Sequence, residues 1–192
     1  MKYRTLLSLA TLTVGLALPA CGGSGWDPKA PQGNQSVSEY DDAVNTALAM
    51  QDRDPSLREF FEDAHAFAIY PTVGKGGWGL GGSYGRGWVY RKGELIGSSS
   101  VTQVTAGFQF GGQAYSQVIF FRDAAALKEF TEGNYELGAQ ATAIAIVAGA
   151  AANASYDDGV AIFTAPQGGL MYEATVAGQK FSFEPRQDRG NG

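Results

Sequence analysis

Residues 77–90 read GWGLGGSYGRGWVY, and taken alternately they separate into two very different faces. Gly77, Gly79, Gly81, Ser83, Gly85, Gly87 and Val89 fall on one side of an extended strand, and Trp78, Leu80, Gly82, Tyr84, Arg86, Trp88 and Tyr90 on the other. The first side is almost bare backbone. Glycine loses more conformational freedom on folding than any other residue, so a stripe of it in a strand signals a close approach or a sharp bend. Two readings stand. Either the sheet curls tightly or packs against a helix here, or the shaved face leaves room for a ligand such as an acyl chain.

The flanks extend the strand pattern. AFAIY at 66–70, ELIGSSSVTQVTAGFQF at 94–110 and QAYSQVIFF at 113–121 are rich in β-branched and aromatic residues. Arg91-Lys92-Gly93, Asp157-Asp158-Gly159, Pro166-Gln167-Gly168-Gly169 and Ala177-Gly178 suit tight reversals between antiparallel strands. Upstream, Val37, Tyr40, Val44, Ala47 and Leu48 recur at helical spacing and are expected to face the core. A second helix is expected after Asp54-Pro55, with Asp54 as cap, Pro55 in the first turn, and Leu57, Phe60, Phe61 and Ala64 on one stripe. A third is expected near 124–131. The Ala-rich stretch 139–154 fits neither helix nor strand cleanly, because Ile144 and Ile146 alternate and Gly149 interrupts. The expected fold class is α+β, with N-terminal helices packed on a glycine-rich, mainly antiparallel, curled sheet or partial barrel.

The chain opens with Lys2 and Arg4, an uncharged run from Leu6 to Leu18, and Leu18-Pro19-Ala20-Cys21. A basic start, a short apolar stretch and small residues before a cut mark a secretory signal, and the run is too short to span a bilayer. Its closing Cys21, the single cysteine among 192 residues, resembles the bacterial lipoprotein pattern in which the thiol is diacylated and the new amino group acylated. Three buried acyl chains, at about 0.8 kcal/mol per methylene, hold a protein firmly on a membrane. Gly22 rather than Asp follows Cys21, which by the same resemblance favours the outer membrane, at its periplasmic face. Residues 1–20 thus read as signal peptide and 21–36, rich in Gly, Pro, Ser and Asn, as a flexible tether. Residues 37–186 form the domain, and 187–192 a disordered tail.

Removing residues 1–20 takes away Lys2 and Arg4 and moves the formal charge from −5 to −7, which argues against nucleic acid as a partner. One histidine, His65, cannot build a His-rich metal site, and no metal or cofactor is expected. Within this acidic chain there is one basic stretch. Between Asp63 and Glu94 no acidic residue occurs, while Lys75, Arg86, Arg91 and Lys92 all do. Lys75 is expected in a loop, 72–77, whose successive N–H groups would form either an anion-binding nest or an ordinary solvated turn. Aromatic rings beside cations suit a lipid headgroup boundary, so Lys75, Trp78, Tyr84, Arg86, Trp88, Arg91 and Lys92 are the candidate lipid contacts, with Cys21 the lipidation site.

Patterns of catalysis are missing. Gly74, Gly76 and Gly79 satisfy G-x-G-x-x-G, but they lead into a strand where a dinucleotide site needs a helix. There is no G-x-S-x-G elbow, and any Ser/His/Asp site would need His65. The chain reads as non-enzymatic.

Three segments carry a family resemblance. They are AIYPTVGKGG at 68–77 running on to Tyr84-Gly85, then VTQVTAGFQFGGQ at 101–113 with Tyr115-Ser116 and 118–121, and Gly138 to Ala152 with Gly168-Gly169-Leu170. In these the chain resembles the SYLF family, the lipid-binding or actin-regulator domain, in its bacterial lipoprotein branch. The resemblance implies a phospholipid-binding module and marks Lys75 as a headgroup contact. It departs from eukaryotic relatives in lacking SH3 or FYVE modules and in an acidic first helix, with Glu39, Asp41 and Asp42, and actin is not an expected partner. The leading expectation is a lipid-anchored envelope protein binding phospholipid through this domain. The alternative is an adaptor or structural lipoprotein that binds another envelope protein and uses lipid only as anchor.

Overall fold

The computed structural model describes residues 37–78, 80–106, 113–133, 135–167 and 176–186. Cys21, the tether and the tail 187–192 lie outside them, as does the side chain of Trp78. Residues 35–192 make one compact unit that supplies its own sheet, helices and cores.

Two helices, α1 (Val37–Arg53) and α2 (Leu57–Asp63), precede four strands, β1 (Ala66–Trp78), β2 (Leu80–Arg91), β3 (Glu94–Ala106) and β4 (Gln113–Phe121). Then come α3 (Ala124–Thr131), the short strands β5 (Tyr135–Glu136) and β6 (Ile144–Ala145), and finally β7 (Val160–Pro166) and β8 (Lys180–Pro185). The sheet has the order β5-β8-β3-β2-β1-β4-β7-β6, antiparallel throughout except for the β6–β7 pair. Three consecutive strands followed by a fourth that returns beside the first make the centre a Greek key.

The turn chemistry works as the sequence suggests. Lys92 and Gly93 both have positive φ, 51° and 81°, as do Asp158 and Gly159 at 46° and 81°, the pattern of tight hairpin turns that follow strand twist. Asp123 caps α3 by accepting from the N–H groups of Ala125 and Ala126, both at 3.0 Å.

Both faces of the sheet are buried over part of their length. On the inner face Tyr70, Val73, Val89, Val101, Tyr115, Ile119 and Phe121 pack with α3 through Leu127 and Phe130. On the outer face Ile69, Trp88, Tyr90, Val118, Phe120 and Phe163 pack beneath α1 and α2. The inner face is concave. Gln117 on β4 and Gln179 at the start of β8 lie four strand positions apart, about 19 Å in a flat sheet, yet their side chains bond at 2.9 Å. The fold is a half-barrel with α1 and α2 on its outside and α3 against its concave face, the α+β arrangement expected.

Several local expectations change. The 77–90 stretch is not one strand, since a hairpin reverses between Trp78 and Leu80. Residues 72–77 are no loop: β1 runs through them, paired to β2 throughout and to β4 at residues 73–75, so the segment is extended strand and not the expected nest. Helix α1 turns Ala43, Ala47 and Met50 inward and leaves Val44 and Leu48 exposed, so its buried stripe is rotated from the one expected. Helix α2 begins at Leu57 with Ser56 at its cap, not at Pro55. The stretch 139–154 is mostly irregular, with two residues paired to β7 and a 3₁₀ turn at Ala151–Asn153.

The glycine stripe has a packing cause. The Tyr70 ring lies on the backbone of Gly87, where a Cβ would stand 2.5 Å from Cδ1, and its hydroxyl reaches Ser99 at 2.7 Å. At Gly85 a Cβ would meet Val73 at 2.8 Å and Val101 at 3.2 Å. On the described part of this face, then, the missing side chains make room for the protein's own rings and methyls.

Candidate functional site

Beyond the helical layer the three long strands continue, and among the described residues their outer face is exposed or half-buried. Register places Arg86 opposite Thr72 and Ser100, Tyr84 opposite Gly74 and Thr102, and Gly82 opposite Gly76 and Val104. Thr72, Gly74, Gly76, Arg86 and Thr102 are exposed, Tyr84 is half-buried, and Val104 is 86% exposed. A Cβ at Gly76 would meet nothing within 4 Å, so this glycine lies open to solvent, whereas one at Gly82 would stand 3.2 Å from the Gln103 carbonyl oxygen. Arg86 donates from Nε to the Tyr84 hydroxyl at 3.0 Å, which holds the guanidinium along the ring's polar edge. The result is a band of one aromatic, one cation, hydroxyls and an exposed aliphatic.

The remaining sequence candidates do not join this band. Lys75 lies opposite Ser83 and Gln113, and Ser83 is buried on the inner face, so Lys75 and Arg86 point to opposite sides of the sheet. Trp88 is 8% exposed and packs in the outer core under the helices. Arg91 and Lys92 are exposed at the far end of β2, eight residues or about 26 Å from the level of Ser83. The basic stretch of the sequence is therefore three separate places. The Lys92 end borders a depression of about 530 Å³ lined also by Phe61, His65 and Arg122.

Sequence reading missed Val104, hidden within a strand of alternating pattern, and it missed a buried polar layer. Gln117 and Gln179 exchange amide bonds at 2.9 and 3.1 Å, and Gln179 also donates to the Tyr115 hydroxyl at 2.9 Å. Ser83 donates to Gln103 at 3.1 Å, and Gln103 to the Ala177 carbonyl at 2.9 Å. Burial raises the Tyr115 phenol, partly offset by bonds from Ser83 and Gln179, and burial pushes Tyr70 far above the usual phenol range. These phenols stay neutral hydrogen-bonding groups. The one signal was Gln117 leading into the apolar run 118–121.

Residues 102–189 match the model of the SYLF family, described as Ysc84, Las17-binding protein actin regulator. The chain is also similar to the beta cell expansion factor A of Aeromonas veronii, at 32% identity over 71 residues. That match covers 37% of this chain and 27% of the relative, so it spans about a quarter of the relative's length.

Proposed function

We propose that this is a lipid-anchored protein of the bacterial envelope whose SYLF domain makes its own, non-catalytic contact with phospholipid. The observation that carries the reading is the outer-face band of Tyr84, Arg86 and Val104. An aromatic with a polar edge, a guanidinium and an exposed aliphatic on bare backbone match a headgroup boundary, where one end of each group is wet and the other apolar. The opening MKYR, the apolar run and Cys21 support acylation, and with it attachment at the outer membrane. A tether of residues 21–36 then keeps the domain within reach of the bilayer.

The test is flotation of residues 35–192, without the anchor, on vesicles of phosphatidylethanolamine and phosphatidylglycerol. Combined Tyr84→Ser, Arg86→Gln and Val104→Ser is expected to weaken binding at least tenfold, while Arg91→Gln with Lys92→Gln leaves it unchanged. If the unsubstituted domain fails to float, the reading fails. Acylated Cys21 then makes the only membrane contact, and the band is the docking face of an adaptor for another envelope protein.

A further inference from the structure

The end of the sheet away from the Trp78–Leu80 reversal carries a separate arrangement of charge. Ala66 pairs with Arg91 on one side and with Phe121 on the other, so the next residues outward, Lys92, His65 and Arg122, leave three neighbouring strands side by side. A strand spacing of about 4.8 Å sets the outer two about 10 Å apart at the backbone. All three line the depression of about 530 Å³ at the C-terminal end of α2, together with Glu62 and Asp63. Opposite charges thus share the depression without meeting. Lys92 and His65 take part in none of the ion pairs among the described residues, and Arg122 pairs there with Asp123, at 3.3 Å from Nε. Helix α2 adds acceptors. The Ala64 N–H closes its last turn on the Phe60 carbonyl at 3.1 Å, so the carbonyls of Glu62 and Asp63 lie past the last intrahelical bond. The rings of Phe61 and Phe67 meet edge to face, with centroids 5.0 Å apart, and supply an apolar wall.

The volume is that of a small-ligand pocket and exceeds what a single ion fills. One exposed ion pair contributes little, and the two carboxylates repel a simple anion. A ligand that carries both signs engages both sides at once. We propose that this depression binds a short peptide with free amino and carboxyl ends. Its carboxylate is held by the two Nη groups of Arg122 and by the Lys92 ammonium, donors suited to carboxylate oxygens. Its ammonium is held by Glu62, Asp63 and the last carbonyls of α2, and a small apolar side chain lies against Phe61 and Phe67. The site stands apart from the outer band and does not rest on the phospholipid reading.

The experiment is an amide-resolved NMR titration of residues 35–192 with trialanine, beside N-acetyl-trialanine, trialanine amide and inorganic phosphate. Free trialanine is expected to shift the amides of His65, Lys92, Gly93 and Arg122, and blocking either end of the peptide to weaken binding at least tenfold. Lys92→Gln with Arg122→Gln should weaken it at least tenfold, as should Glu62→Gln with Asp63→Asn, while Lys92→Arg retains it. The triple change at Tyr84, Arg86 and Val104 that weakens flotation should leave peptide binding unaltered. No shift with trialanine, equal affinity for the blocked peptides, or undiminished affinity in either folded double variant overturns the proposal. Phosphate that shifts the same amides with an affinity equal to that of trialanine overturns it too, since the depression is then a site for anions alone.

Discussion

Gly87 and Gly76 sit on neighbouring strands and do opposite work. A side chain at Gly87 would enter the Tyr70 ring and stand 2.5 Å from the Ile69 carbonyl oxygen, both fixed by packing. Gly87→Ala is expected to cost about 1–3 kcal/mol, the usual range for overpacking. At Gly76 the added methyl meets nothing, and the residue has no positive φ, so Gly76→Ala should be neutral or stabilise by about 0.4–1 kcal/mol through the unfolded chain. Urea denaturation of the two variants tests the assignment. A silent Gly87→Ala would mean that the Tyr70 ring is not locked to this backbone.

At the scale of elements, one buried carboxylate joins three of them. Asp54 is 1% exposed at the α1–α2 corner and accepts from the Ser56 N–H at 3.1 Å, the Ser56 hydroxyl, the Gly149 N–H at 3.2 Å and the Ala151 N–H at 2.8 Å. These last two bonds hold the irregular 146–151 segment over the outer core, where Ile146 and Ala151 are buried. Burial opposes the charge, but the Ser56 and backbone bonds outweigh it and lower the pKa below the ordinary 3.8. The unfolded chain therefore binds this proton more readily than the folded one. The stabilisation is complete above the ordinary value and is lost as pH falls through the lower folded one. Asp54→Asn should cost about 1–3 kcal/mol at neutral pH, flatten the acid limb of the stability curve and speed hydrogen exchange at Gly149 and Ala151. An acid limb of unchanged slope would remove Asp54 from the account. The same corner shows why helix periodicity misled. Val44 and Leu48 share a stripe with Ala47, yet α1 buries the adjoining stripe of Ala43, Ala47 and Met50, and spacing alone does not reveal which of two adjoining stripes meets the partner surface.

For the whole molecule, closure of the half-barrel depends on groups far apart in the chain. Gln117 and Gln179 bring β4 and β8 together across the concavity, and Phe130 packs tilted between Phe121 and Phe181, with ring centroids 4.8 and 5.5 Å away. Removing one amide leaves the other buried with a lost partner, so Gln117→Leu alone should cost about 1–3 kcal/mol. The double change with Gln179→Leu should cost less than the sum of the singles, with a coupling of about 0.5–3 kcal/mol by denaturant titration. Strict additivity would show that the pair does not hold the closure.

The strand-rich middle, the tight turns at Lys92-Gly93 and Asp158-Gly159, α3 and the curl announced by glycine were legible in the order of residues, because turns, caps and bare backbone are set by near neighbours. The SYLF resemblance was legible too, carried by contiguous segments. Tertiary structure alone decided that β1 continues through the 72–77 segment, that Trp88 is core, and that Lys75, Arg86 and Lys92 occupy three places. A strand assigns a side chain to one of two faces, but only sheet order, register and the layer packed against each face decide which side is buried, and those depend on contacts between residues distant in sequence.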